Sequence, residues 1–260
     1  MELDYLRLNK EAWNKRTAVH IESKFYDVEA FKQGKSSLNA IELEQVGNVE
    51  GKSLLHLQCH FGQDTLSWAR LGAKVTGVDL SPAAIEQAQC LSRDLGLEAR
   101  FIESDIYEFR ESNTEQYDVV FTSYGVLCWL PDLSRWAKTV AGALKVGGEF
   151  HIVEFHTFND LLYGYSYFPS EEPDIEEEGT YTENCDGTTS TMATWPHPLS
   201  EVINALIQAG LRIDVFAEYP YSPYNCFEGL EYVEQKGYQL LHKGQQVPLL
   251  YAIKATKDAR

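Results

Sequence analysis

The run from Ser53 to Ser81, SLLHLQCHFGQDTLSWARLGAKVTGVDLS, restricts the fold of this chain more than any other stretch. It reads as strand, tight turn, helix, second strand and a closing acidic residue. Ser53 to Leu57 is short and largely apolar, Gln58 to Gly62 makes the turn, and Gly72 closes the following helix at the C′ position, where a left-handed backbone suits glycine. Lys74 to Val78 is a second buried strand with Asp79 at its carboxyl end. In an open parallel sheet, ligands bind beyond the carboxyl ends of the strands, where helix N-termini also direct free N–H groups. Asp79 is therefore placed to accept hydrogen bonds from the hydroxyls of a ribose.

The alternation continues downstream. Ser81 is a natural N-cap with Pro82 at the first helical position, which predicts a crossover helix as far as Asp94. Ala99 to Glu103 and Tyr117 to Ser123 read as further buried strands, with Asp105 and Tyr124 just beyond their ends. A helix from Leu133 to Leu144 is expected to stop at Gly147-Gly148, and a strand from Glu149 to Phe155 leads to His156. Such alternation builds an α/β parallel sheet covered on both faces. Residues 158–197 break the pattern with a long polar stretch that carries Glu176 to Glu178 and a cluster of tyrosines. A stretch of that length is expected to serve as a lid over the strand ends. Ser200 is expected to cap a helix that Gly210 closes, and Leu211 to Tyr219 and Val247 to Ala255 complete the sheet. The organisation expected is one domain over residues 1–260, with 1–45 as a helical cover and 158–197 as the insertion.

Composition narrows the function. Acidic residues number 39 against 22 basic ones, a formal charge of −17, which repels a phosphate backbone and argues against a nucleic-acid partner. Cys59, Cys90, Cys128, Cys185 and Cys226 are widely spaced with no CxxC pair, as free thiols of a reducing cytoplasm would be. The amino-terminal MELDYLRLNKEAWNKR lacks the apolar stretch of a signal peptide, and no later run is long enough to cross a bilayer. A cytoplasmic chain without a membrane partner is the expectation. His56, Cys59 and His60 crowd into one turn without a second cluster, unlike a zinc site, so no metal is expected.

With the strand ends located, the chain resembles the class I S-adenosylmethionine-dependent methyltransferases over nearly its whole length, and HLQCHFGQDTLSWAR looks like a bacterial variant of their first motif. The resemblance implies a three-layer Rossmann-like fold with a seven-stranded, mostly parallel sheet and an antiparallel last strand beside the fifth. Where the family motif reads D-x-G-x-G-x-G, this chain has His56, Gln58, His60 and Gly62, and His56 cannot fix the cofactor's amino group as an anion. The resemblance also assigns S-adenosylmethionine contacts. Asp79 takes the ribose hydroxyls and Leu80 covers the adenine; Asp105 accepts from the adenine's exocyclic amine and the Ile106 N–H reaches a ring nitrogen. Gln58, His60 and Gly62 lie along the cofactor, Ser123 and Tyr124 face its methionine end, and Arg16, in a leading helix, meets its carboxylate. For Asp79 the competing role is a helix cap, and for Asp105 it is a turn.

Methyl transfer from a sulfonium is an in-line displacement, so much of the catalysis is alignment and exclusion of water. Trp13, Tyr26, Tyr124 and Trp129 are candidate rings to face the sulfonium, although core packing is the commoner fate of large aromatics. A protonated acceptor needs a general base, for which His20, His156 and Tyr124 are candidates. Nothing resembles the Asp/Asn-Pro-Pro-aromatic motif that grips a flipped base, so the acceptor expected is a small molecule. Two other readings stand beside this one. A nicotinamide-dependent oxidoreductase would need a GxGxxG that Gln58, His60 and Gln63 replace, and a non-catalytic adenosylmethionine-binding protein would keep the cofactor site alone.

Overall fold

The computed structural model describes residues 4–225 and 227–259. Three helices lead the chain: α1 (Tyr5–Ile21), α2 (Val28–Lys32) and α3 (Ala40–Val46). Asp4 and Asp27 start the first two by accepting backbone N–H groups, and Asn39 and Glu42 form a capping box on the third. The alternating region follows as β1 (Ser53–Leu57), α4 (Gln63–Arg70), β2 (Lys74–Asp79), α5 (Pro82–Leu95), β3 (Ala99–Glu103), α6 (Phe109–Ser112), β4 (Tyr117–Ser123), α7 (Leu133–Ala143) and β5 (Leu144–Phe155). Then come α8 (Phe158–Leu162), the antiparallel hairpin of β6 (Asp174–Glu178) and β7 (Ser190–Thr194), α9 (Leu199–Gln208) and β8 (Leu211–Tyr219). Four strands of two or three residues, β9 (Glu231–Val233), β10 (Gly237–Gln239), β11 (Leu241–His242) and β12 (Gln245–Gln246), precede the last, β13 (Leu250–Lys257).

The seven-stranded sheet has the order β3-β2-β1-β4-β5-β13-β8, and β13 runs antiparallel to both of its neighbours. This is the expected three-layer, Rossmann-like arrangement, in which the last strand enters beside the fifth. Alternation along the strands divides the core. Leu55, Leu57, Val120, Phe150 and Ile152 face α7 and α9, while Leu54, Val119 and Phe121 pack with Trp68 of α4 on the other face. The parallel register brings Leu57, Asp79, Glu103 and Ser123 to one edge.

Several boundaries differ from the sequence expectation. Helix α7 ends at Ala143 and β5 begins at Leu144, ahead of the glycine pair. The register jumps from Leu144 to Glu149 opposite Tyr117 and Val119, so Gly147 and Gly148 form a bulge inside the strand. A Cβ on Gly148 would lie 3.0 Å from the carbonyl oxygens of Lys145 and Tyr117, so a larger residue there would press the backbone apart by a few tenths of an ångström. Pro198 rather than Ser200 occupies the N-cap of α9, and no side chain caps it. The final strand starts at Leu250, after the two short pairs β9–β10 and β11–β12. The insertion is more ordered than a loop, holding α8 and the β6–β7 hairpin.

Candidate active site

The turn after β1 is built from left-handed residues. Gln58 (φ 56°), His60 (φ 50°) and Gly62 (φ 81°) all lie in the region that favours glycine, so the first two cost roughly 1–2 kcal/mol each. Side-chain and backbone partners hold them there. Gln58 Nε2 donates to the Val126 carbonyl (2.8 Å), the His60 N–H donates to Asp79 Oδ2 (2.7 Å), and His60 Nε2 lies 2.8 Å from His20 Nδ1. Gly62 cannot be replaced so cheaply, since a Cβ there would sit 2.8 Å from the Phe101 ring.

At the end of β2, Asp79 is half-buried, and each carboxylate oxygen accepts one backbone N–H: Oδ2 from His60 and Oδ1 from Ser81 (2.9 Å). One lone pair on each oxygen remains for a diol. Burial outweighs these hydrogen bonds and pushes the carboxyl up to about 6. Ser81 caps α5 by accepting from the Ala84 N–H, so the capping role does not fall to Asp79. Asp105 does serve its turn, with Oδ1 accepting from the N–H groups of Tyr107 (2.6 Å) and Glu108 (3.2 Å). Its Oδ2 has no protein donor among the described residues.

These elements wall a cavity of about 810 Å³ along the carboxyl edge of the sheet. Gln58, His60, Gly62, Asp79, Leu80, Asp105, Ile106, Ser123, Tyr124 and Arg16 all line it. The roof comes from α1, the α1–α2 connection and the β6–β7 hairpin. Asn9 exchanges two hydrogen bonds with the Ala193 backbone, Arg16 donates to the Gly179 carbonyl (2.8 Å), and Asn184 donates to the Val19 carbonyl. Glu183 accepts from the Lys24 and Phe25 N–H groups, and the Tyr26 and Tyr181 hydroxyls meet. The buried Arg16 guanidinium lies 5.5 Å from the ring centroids of both Trp13 and Trp129, and desolvation lowers its pKa.

The three candidate bases are scattered. His20 is fully buried behind His60, its Nε2 meeting the Thr180 hydroxyl, and desolvation pulls it down to about 3, so the ring is neutral. His156 points away from the cavity: Nε2 pairs with Glu218 (2.8 Å) and Nδ1 accepts from the Phe158 N–H. Its backbone N–H donates to the Leu249 carbonyl, and its ring reaches past β13 to Glu218 on β8. Tyr124 does line the cavity, at φ 47°, and burial together with the neighbouring Glu42 carboxyl keeps it a phenol. His56 is buried and neutral, bonded through Nδ1 to the Thr65 hydroxyl.

Other cavity residues went unread in the sequence. Asp64, in the first turn of α4, lines the floor and receives the Ser123 hydroxyl (3.3 Å). Ser37 and Asn39 come from the α2–α3 connection, and Tyr224, Phe227 and Tyr238 come from residues 220–249. Asp64 is two residues past Gly62, which is a readable signal. The tyrosines lie in a stretch without periodicity, where nothing in the sequence marks them.

Residues 54–148 match the family model described as a methyltransferase domain. The ubiquinone biosynthesis O-methyltransferase of Salmonella arizonae is 30% identical over 143 residues, a match that covers 54% of this chain and 57% of that protein. The chain thus spans little more than half the length of the curated relatives it matches. Among solved structures, an S-adenosylmethionine-dependent methyltransferase described as putative, from Listeria monocytogenes, superposes with a TM-score of 0.59 at 17% identity, over 89% of this chain and 100% of that one. The DhpI–SAH complex superposes with a TM-score of 0.61 at 15% identity, over the whole of both chains. The fold is that of the Rossmann-like methyltransferases.

Proposed function

We propose that this chain is an S-adenosylmethionine-dependent methyltransferase acting on a small-molecule acceptor. One observation carries the reading: all ten residues expected along the cofactor, drawn from α1 and four strand ends, line a single cavity. The donor and acceptor set fits that cofactor. Asp79 offers a lone pair on each oxygen for the ribose hydroxyls, and Asp105 keeps Oδ2 for the adenine amine. Leu80 and Ile106 supply apolar walls, and Arg16 is the buried cation for a carboxylate.

The bound sulfonium supplies an electrophilic methyl group. The protein's share is to hold the acceptor in line and keep water out. The paired α1 and hairpin perform the second task as a roof pinned by several hydrogen bonds, two of them at the buried Asn9. Residues 1–45 and 158–197 thereby act as the cover that selects the acceptor. A roofed cavity of this size suits a small molecule, within the roughly 300–1,000 Å³ usual for such sites. Tyr124 is the one candidate base inside it, and as a phenol it positions the acceptor rather than deprotonating it.

The nicotinamide reading finds no support in the antiparallel β13 or in the Gln58 and His60 side chains at the turn. No helix among the described residues is long and apolar enough to cross a membrane. The unpaired thiols of Cys59, Cys90, Cys128 and Cys185 support a reducing cytoplasm as the site of action; Cys226 lies outside the described residues. Calorimetry with S-adenosylmethionine, S-adenosylhomocysteine and NADH tests the assignment. Micromolar binding of the first two is expected, and binding of NADH alone would overturn it.

A further inference from the structure

Asp64 is a carboxylate on the cavity floor with no cation beside it. Its hydrogen-bond partners are the neutral hydroxyls of Ser37 and Ser123, and burial raises its pKa. The two basic residues that line the cavity are engaged elsewhere. Arg16 sits among Trp13, Trp129 and the hairpin, and Lys35 pairs with Asp27 (3.5 Å). Among the described residues Asp64 makes no ion pair.

The surroundings of Asp64 are aromatic. Its charge is felt by Tyr26, Tyr124 and Tyr224, all cavity-lining and all raised above the usual phenol range, chiefly by burial. The Tyr124 and Tyr224 rings stand edge to face, 5.0 Å apart, and Phe25 and Tyr181 extend the wall. A half-buried anion without a counter-ion carries a desolvation cost, and aromatic faces attract cations more strongly where water is excluded. An anion that shares one cavity with these tyrosine rings is complementary to an organic ammonium ion. The formal charge of −17 adds long-range attraction for a cation.

We propose that Asp64, walled by Tyr26, Tyr124 and Tyr224, is the subsite for an ammonium group on the acceptor, so that the molecule methylated carries a positive charge. The proposal rests on the methyltransferase reading and deepens it. Asp64 neutralises the bound cation, and the tyrosines enclose its alkyl substituents. The subsite adjoins Ser123 at the end of β4, next to the methionine end of the cofactor in the assignment above.

The test titrates two ammonium probes, each with an uncharged counterpart of similar shape, into the complex with S-adenosylhomocysteine. Choline is compared with 3,3-dimethyl-1-butanol, and phenethylammonium with propylbenzene. Wild type should bind at least one ammonium ion about tenfold or more tighter than its neutral partner, the range for a charge-assisted contact. Asp64→Asn, which keeps the shape and hydrogen bonds, should erase that preference, and Tyr224→Ala should reduce it. Unfolding curves confirm that each variant folds, and Asp64→Ser serves if Asp64→Asn does not. A wild type without preference for either ammonium ion overturns the proposal. So does a variant whose only loss is its preference for S-adenosylhomocysteine over the analogue lacking the amino group, because Asp64 would then serve the cofactor. Failure of wild type to bind S-adenosylhomocysteine at all is a separate result, which removes the methyltransferase reading itself.

Discussion

Asp79→Asn separates binding from folding because its two effects on the free protein oppose each other. The carboxylate holds the His60 and Ser81 N–H groups, and an amide can accept only one of them, so one buried donor is lost at about 1–3 kcal/mol. Against this, burial raises the carboxyl to about 6 from the ordinary 3.8, and keeping it ionised at neutral pH costs about 3 kcal/mol. Removing the charge returns that amount, so the free variant should melt within a few degrees of wild type. Binding has no such compensation. Two ribose hydroxyls lose a charged acceptor, about 2–4 kcal/mol in all, which is roughly 30- to 1,000-fold in the dissociation constant for S-adenosylhomocysteine. Calorimetry and thermal unfolding of the same samples check both halves. The wild-type affinity should also fall as pH drops through about 6, where Asp79 takes up its proton, while the variant stays flatter. An affinity within threefold of wild type would refute the ribose assignment, above all if the melting temperature had dropped by many degrees.

Gly62→Ala combines φ 81° with a Cβ 2.8 Å from the Phe101 ring, so it should lose about 2–4 kcal/mol of stability, readable by chemical denaturation. His20 and His56 are both held down to about 3, far below their unfolded value, so the unfolded chain binds more protons between pH 6.5 and 3. Each should therefore withdraw about 2 kcal/mol of stability between pH 6.5 and 5, and His56→Gln should flatten that loss in denaturant titrations; an unchanged slope counts against it. Exchanging Leu161 to Trp195 for a glycine-serine linker removes the partners of Asn9, Arg16 and His20. It should abolish transfer and also weaken S-adenosylhomocysteine by more than tenfold, whereas retained turnover would show the hairpin to be dispensable.

The sheet was legible because its strands are short apolar runs separated by glycine, proline and cap residues, signals that act within a few positions of one another. Ser53–Leu57, Ala99–Glu103 and Tyr117–Ser123 fall at their expected limits for that reason. The strand-end residues were legible too, since parallel pairing fixes which edge Asp79 and Ser123 reach. The reading failed where tertiary context overrides local pattern. Gly147-Gly148 looks like a helix stop but is a bulge, and its meaning depends on Tyr117 and Asp118 in the neighbouring strand. His156 directly follows the correct strand end, yet its ring pairs with Glu218 on β8 and does not line the cavity.

The acceptor end was hidden for a further reason, which bears on how such a protein changes its substrate. In the proposed assignment the cofactor half is made, Arg16 apart, by residues within a few positions of β1, β2, β3 and β4, so local sequence determines most of it. The acceptor half proposed above draws on Tyr26, Ser37, Tyr124, Tyr181 and Tyr224, five segments that line one cavity beneath the fastened α1 and hairpin. None of these residues has a spacing that reports the others. Their shared constraint is the roof, since Asn9 and Arg16 are each bound to hairpin carbonyls rather than to the sheet. Substitutions in residues 158–197 or 220–249 can therefore remodel the acceptor walls while leaving Gly62, Asp79 and Asp105 in place. On the proposed assignment, recognition can diverge with little cost to the cofactor site, through the segments where the periodic pattern of the sequence breaks down.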